Sequence, residues 1–247
     1  MEGPRALGAA LDHGAHLSFA LRTAGLNPSG QGGIEARLEA AGVELLTVDP
    51  GTFAELGDTD TPQGILGLAL EPEAHLPFGP EADPQRPDAP AAEARILILD
   101  RIQDPGNAGA LIRVAAALGA DGVVVLDGTV DPWNPKAVRA SAGLVFRLPP
   151  VRLPWDRARG WLERAGLPLL VAHPAGSDVR AWLSRERGAS GVDRGWALLL
   201  GNEGAGPRPE ARREAHAELA VPLPPGVDSL NVATAGAILL WALGSGR

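Results

Sequence analysis

From residue 96 onward, short apolar runs alternate with stretches of helical spacing, and this alternation constrains the fold more than any other feature. Strands are expected at 96–100, 123–126, 145–148, 169–172, 197–201 and 219–221. Helices are expected at 108–118, 135–142, 155–165, 179–187, 209–217 and 230–243. Strands separated by helices predict an α/β fold, a mostly parallel sheet with helices on both faces. Ahead of it lies a smaller α/β pattern. Helical spacing runs over 5–25 through Leu7, Leu11, Leu17 and Leu21, followed by a helix at 34–41, a strand at 43–48, a helical turn at 53–56 and a strand at 65–70. The segment 72–94 is dense in Pro, Ala and acids, has no apolar period and reads as a linker. The expected organisation is a small α/β domain over 1–71, a linker over 72–94 and a larger domain over 95–247.

The chain has no Cys, which excludes disulfide and thiol chemistry. Its histidines, His13, His16, His75, His173 and His216, show no metal-helix spacing with a carboxylate between them, so no metal site is expected. The N-terminus lacks a signal pattern and runs such as AILLWAL are too short to span a bilayer, which predicts a cytoplasmic protein. A net charge of −8 argues against an RNA partner, but the charge is lopsided. Residues 1–90 hold 4 Arg against 14 Asp and Glu, whereas residues 91–247 hold 18 Lys and Arg against 16. The larger domain is near neutral and free to carry a local basic face.

Three turns in that domain stand out, and none is a GxGxxG or GxxxxGK[ST] phosphate loop. In DPGNAGALIR (104–113), Asn107 sits where a helix cap belongs, as in any strand–turn–helix. Arg113, however, falls within an apolar helix, where a buried guanidinium requires an anionic or carbonyl partner. In LLLGNEGAG (198–206), an apolar strand stops at Gly201, and Gly204 and Gly206 allow close backbone approach to a ligand while Asn202 and Glu203 project from the turn. A plain glycine-rich surface loop is the alternative. In VPLPPGVDSLNVATAGAILL (221–240), Pro222, Pro224 and Pro225 make a rigid turn with few donors, and Ser229 and Asn231 sit at a helix start, where capping explains one of them. A fourth stretch, DPWNPKAVRASAGLVFRLP (131–149), carries Lys136, Arg139 and Ser141 on what is otherwise a short solvated helix.

The trio of turns closely resembles the signature motifs of the SpoU (TrmH) family of RNA ribose 2′-O-methyltransferases, in family order and spacing over about 96–243. TPQGILGL (61–68) is similar, more weakly, to the small RNA-binding domain of many members. The resemblance implies a C-terminal SPOUT domain with a deep trefoil knot, preceded by a small α/β RNA-binding-like domain. It implies S-adenosylmethionine as cofactor and a ribose 2′-OH of structured RNA as acceptor, ribosomal RNA favoured over transfer RNA. Asn107, Arg113, Glu203, Ser229 and Asn231 are then the catalytic set. Leu200, Gly201, Asn202, Val221, Leu223, Ser229, Leu230 and Asn231 hold the cofactor, largely through main-chain groups. Arg113, Lys136, Arg139 and Ser141 face RNA. The alternative is a non-catalytic RNA-binding or ribosome-assembly module on the same fold, and the joint presence of the five catalytic residues argues for the enzyme.

The last expected helix, 230–243, is apolar around most of its circumference and must be buried on most sides. The chain itself or a second copy could cover it. The resemblance implies a homodimer through this region, with Trp241 or its neighbours at the interface and Arg113 beside the partner's site.

Overall fold

The computed structural model describes residues 1–24, 33–57, 62–77, 93–186 and 195–244. Most of the linker expected at 72–94 lies outside these residues, as does the last residue of the helix expected at 179–187.

The N-terminal part contains α1 (Pro4–Asp12), β1 (Leu17–Thr23), α2 (Ile34–Ala40), β2 (Glu44–Val48), α3 (Pro50–Leu56) and β3 (Ile65–Ala69). Its sheet has the order β2-β1-β3, with β1 parallel to β2 and antiparallel to β3. The helical spacing over 5–25 is only half realised. After α1 the chain caps at His13, and Gly14 takes a φ of 73° that only glycine adopts without strain. Leu17 and Leu21 keep a four-residue spacing by coincidence. Leu21 pairs across the sheet with Leu46 and Leu66.

The larger part holds β4 (Arg95–Asp100), α4 (Pro105–Ala117), β5 (Gly122–Leu126), α5 (Pro135–Ala140), α6 (Leu144–Arg147), β6 (Val151–Leu153) and α7 (Trp155–Ala165). It continues through β7 (Leu169–Asp178), α8 (Val179–Glu186), β8 (Trp196–Gly201), α9 (Pro209–Glu214), β9 (Ala217–Ala220) and α10 (Val232–Gly244). Its six strands form a parallel sheet of order β6-β5-β4-β8-β7-β9 among the described residues.

Alternation within each strand feeds two cores. Leu97, Leu99, Val123 and Leu198 pack with Leu111 of α4, Trp182 of α8 and Leu239 of α10. Their neighbours Ile96, Ile98, Val124 and Leu199 pack on the other face with Trp161 of α7 and Ala211 of α9. Burial on both faces is why these strands read as continuous apolar runs. Truncating one of these leucines to Ala would cost about 2–5 kcal/mol.

The strand expected at 145–148 is instead the helical turn α6. Gly143 enters it with a φ of 79°, the Ser141 hydroxyl accepts from the Val145 N–H at 3.4 Å, and Phe146 packs on Trp133 with ring centroids 5.2 Å apart. Tertiary packing here overrides the β-propensity of Val and Phe. The strand that joins the sheet is β6, beyond Pro149 and Pro150. β7 also runs six residues past its expected end, bulging between Ala172 and Ser177. Contact between the two parts runs through α1, whose Ala10 joins the core beside α4, and through Arg152, which pairs with both Glu71 and Asp131 at 2.6 Å.

Candidate active site

The strand order reverses between β4 and β8, and the crevice outside the carboxyl ends of strands at such a point is where open α/β sheets bind ligands. A cleft of about 800 Å³ opens on the β8 side of that point, over the carboxyl ends of β8, β7 and β9. Its floor is Leu200, Gly201 and Asn202 at the end of β8. Its far wall is the segment after β9, including Val221, Leu223, Ser229, Leu230 and Asn231. All eight residues singled out for a cofactor therefore line one cavity, of a size suited to a nucleoside-bearing ligand. Gly201 packs so closely on the main chain of Pro207 that no Cβ fits, and Gly206 closes the loop at a φ of 70°.

Beside the cleft, three side chains form a polar chain. Glu203 Oε1 accepts from Asn107 Nδ2 at 2.9 Å, and Asn107 Oδ1 accepts from Asn231 Nδ2 at 2.9 Å. Asn231 Oδ1 in turn accepts from the N–H groups of Ala233 and Thr234 at the start of α10. Each amide orientation follows from its neighbour. The carboxylate takes only donors, so Asn107 turns its nitrogen to Glu203 and its oxygen to Asn231, whose own oxygen is left for the helix. Glu203 also receives the N–H of Gln103 at 3.3 Å and of Asp104 at 3.4 Å. Burial pulls its carboxyl upward, but the Asn107 amide and the surrounding main-chain donors outweigh this and hold it below the ordinary glutamate value. At neutral pH Glu203 is an acceptor that orients Asn107.

Asn107 does not cap α4. Asp104 does, its Oδ1 accepting from the Asn107 N–H at 2.8 Å, with Pro105 in the first helical position. The Lys136 ammonium, 2.9 Å from Asp104 Oδ2, holds that carboxyl below its usual range. Lys136 is thus tied to the same loop. Arg113 stands exposed on the outer face of α4, with no hydrogen bond or ion pair among the described residues. It therefore needs no internal partner and is free to meet a ligand. Ser229 is exposed at the cleft wall. Arg139 is half-buried, while Ser141 is fully buried and its hydroxyl donates to Val138 O at 2.7 Å, behind the surface.

Sequence reasoning missed the extension of β7, whose His173, Gly176 and Asp178 line the cleft. The available signal was PAGSD directly after an apolar strand. It also missed Asp104, legible as an acid before a Pro that opens a helix. Among the described residues no three His, Asp or Glu side chains gather as a metal site, and no helix is long and apolar enough to cross a membrane.

A parallel doubly wound sheet with a glycine-floored cleft at the carboxyl ends of its strands is the arrangement in which open α/β proteins bind ligands. The comparisons narrow the class. Residues 94–241 match the SpoU rRNA Methylase family, and the chain belongs to that family. It is 32% identical over 207 residues to the Bacillus subtilis 23S rRNA (guanosine(2553)-2′-O)-methyltransferase RlmP, covering 82% of this chain and 73% of the relative. It is 29% identical to the human mitochondrial rRNA methyltransferase 3, covering 81% of this chain and 57% of that longer protein. The AdoMet-bound rRNA methyltransferase from Sinorhizobium meliloti superposes with a TM-score of 0.77 at 30% identity, covering 98% of this chain and 85% of that one. The likeness extends the SPOUT-type architecture, a parallel sheet with flanking helices, to this chain.

Proposed function

We propose that this protein transfers a methyl group from S-adenosylmethionine to a ribose 2′-OH of structured RNA, ribosomal RNA in preference to transfer RNA. The observation that carries the reading is the Asn231–Asn107–Glu203 chain at the edge of a glycine-floored cleft in a SpoU-family protein. The cofactor supplies an electrophilic methyl. The protein holds that methyl and the 2′-oxygen in line, so that geometry provides much of the acceleration. Gly201, Val221 and Leu230 contact the adenosine through main-chain groups. Asn107, Asn231 and Ser229 orient the reacting ends, and Arg113, with Lys136 and Arg139, receives RNA phosphates. The 2′-OH is what separates RNA from DNA at such a site.

Two further parts of the reading have support in the chain path. β9 is the outer edge of the sheet, yet α10 packs back on Leu111 and Leu200 near its centre. The segment 221–231 must therefore return across the ends of β7 and β8, the path a trefoil knot requires. On α10, Leu239, Leu240 and Leu243 are buried, whereas Ile238 and Trp241 remain exposed at 37% and 66%. That outward apolar side supports a homodimer pairing through α10, with Arg113 serving the partner's cleft. The two separate sheets, β2-β1-β3 and β6-β5-β4-β8-β7-β9, support a division into domains over 1–71 and 95–247.

The test is transfer of tritium from methyl-labelled S-adenosylmethionine to ribosomal RNA from a strain lacking the gene, with ribose methylation located by mass spectrometry. No cofactor binding by calorimetry and no label transfer would leave a binding module. Mixing inactive Arg113→Ala and Asn231→Ala chains should restore activity if the site is shared, and a monomer mass in light scattering with full activity would rule the dimer out.

A further inference from the structure

Two residues outside every motif above tie the first site loop to the second. Asp100 ends β4, at the root of the loop that leads to Asn107, and its side chain is fully buried. Arg208 directly precedes α9, just past the loop that carries Glu203. The Arg208 N–H donates to Asp100 Oδ2 at 2.7 Å, its Nε donates to Oδ1 at 2.9 Å, and its Nη2 lies 2.7 Å from Oδ1. The guanidinium also lies over the Trp155 ring, 5.5 Å from its centroid, which fixes its plane.

The same two loops are stitched once more just beyond the strand ends. Arg101 holds a φ of 58°, a costly conformation for a side chain of this size, and its N–H donates to Thr129 Oγ1 at 2.8 Å. In that pose its carbonyl accepts from Asn202 Nδ2 at 2.9 Å and its Nη2 donates to Gly206 O at 3.3 Å. A buried ion pair is weak evidence of net stability, because desolvation offsets attraction. What this one does without ambiguity is geometric. One carboxylate binds both the main chain and the side chain of Arg208, so the exit of the second loop has a single position relative to β4.

We propose that the Asp100–Arg208 pair is a positioning device that sets the second site loop against the first and so keeps the Glu203 carboxylate on Asn107. It acts through Glu203 and Asn107 and meets neither cofactor nor RNA. Its catalytic consequence rests on the methyl-transfer reading above, but its structural consequence does not.

The experiment compares the parent with Arg208→Met, which keeps an apolar stem over Trp155, and with the double variant Asp100→Asn plus Arg208→Met, which removes both charges of the pair and leaves Arg101, whose Nε lies 3.4 Å from Asp100 Oδ1, facing a neutral amide. Three readouts are taken: melting temperature, the side-chain amide resonances of Asn107 in nitrogen-15 NMR, assigned by their loss in Asn107→Ala, and single-turnover methyl transfer to ribosomal RNA at saturating S-adenosylmethionine. Arg208→Met should lower the melting temperature, move the Asn107 resonances and slow transfer by roughly 10²-fold, the scale set by an ångström of misplacement. The double variant should regain most of the melting temperature while the resonances and the rate stay displaced. Recovery of parent rate together with stability would reduce the pair to a fold contact and overturn the proposal, as would Asn107 resonances unmoved in both variants. Should Arg208→Met fail to fold, the double variant carries the test. Should the parent transfer no methyl to ribosomal RNA, the proposed reaction fails, and the amide resonances still decide the positioning role.

Discussion

The two walls of the cleft are built on opposite principles. The wall after β8, with the β4 loop braced behind it, is dense in hydrogen bonds: Glu203, Asn107, Asn202, Arg101, Asp100 and Arg208 each engage a group from the other loop or a neighbouring element. The wall after β9 has almost none. Between Pro222 and Leu230, the one backbone bond among the described residues is Val227 N–H to Pro224 O at 3.2 Å. Its order comes from Pro222, Pro224 and Pro225, which fix φ and contribute no donors. The difference separates two jobs. Groups that must sit still while bonds are exchanged stand on the cross-linked wall. Main-chain groups left unspent on the proline wall are available to a ligand. Asn231 joins the two, binding Asn107 on one side and capping α10 on the other.

Asn107→Ala breaks the comparison hardest, because it cuts that link. Methyl transfer should fall by roughly 10²–10³-fold, the loss typical of a preorganised polar group. Single-turnover kinetics on ribosomal RNA checks this, and near-parent turnover would remove Asn107 from the site. Arg113→Ala should follow at about 10²-fold. Because Arg113 is exposed and unpartnered among the described residues, its melting temperature and S-adenosylmethionine affinity should hold, unlike those of Asn107→Ala. Gly201→Ala attacks the floor. Its new Cβ meets the main chain of Pro207, which cannot give way like a flexible side chain, so stability should drop by about 1–3 kcal/mol in urea unfolding.

pH sharpens the contrast. Glu203 is held below its ordinary value when folded, so its contribution to folding is present above the unfolded glutamate range and is lost only as pH falls through the lower, folded value. Cofactor binding and the Asn107 resonances should therefore persist through the ordinary glutamate range and change below it. Glu203→Gln should abolish that acid limb. Its amide would also turn a donor toward the N–H groups of Gln103 or Asp104, so a variant with unaltered Asn107 resonances would refute the orienting role.

The rigid wall was the harder one to see in the sequence. The strands of the large sheet are legible because burial on both faces leaves apolar runs, and α7 falls where its spacing puts it, Trp155 to Ala165. The cleft residues were legible because they cluster in three short turns. The interlock was not, since Asp100 and Arg208 stand 108 residues apart and neither has an unusual neighbourhood. Only the parallel register that sets Asp100 beside Gly201 brings their loops together. α6 and β1 were hidden for the opposite reason. Their local patterns were plausible for the wrong element, and packing with Trp133 or with β2 and β3 decided between them.

The smallest effect expected is at the proline wall, and it discriminates between the two principles most finely. Pro225→Ala trims an exposed side chain and restores one N–H in an exposed segment. If the wall is ordered by proline, the free segment gains conformations that a ligand must then remove. A loss of about 0.4–1 kcal/mol in binding follows from the usual worth of one such restriction. Calorimetry with S-adenosylmethionine should read this as a two- to fivefold rise in Kd, carried by a less favourable entropy, while urea unfolding without cofactor and single-turnover transfer at saturation stay at parent values. The same weakening carried by enthalpy would mean that Pro225 itself packs on the ligand. A fall in the saturated rate would mean that the two walls are not independent, and that the cross-linked side takes part of its order from the proline turn opposite.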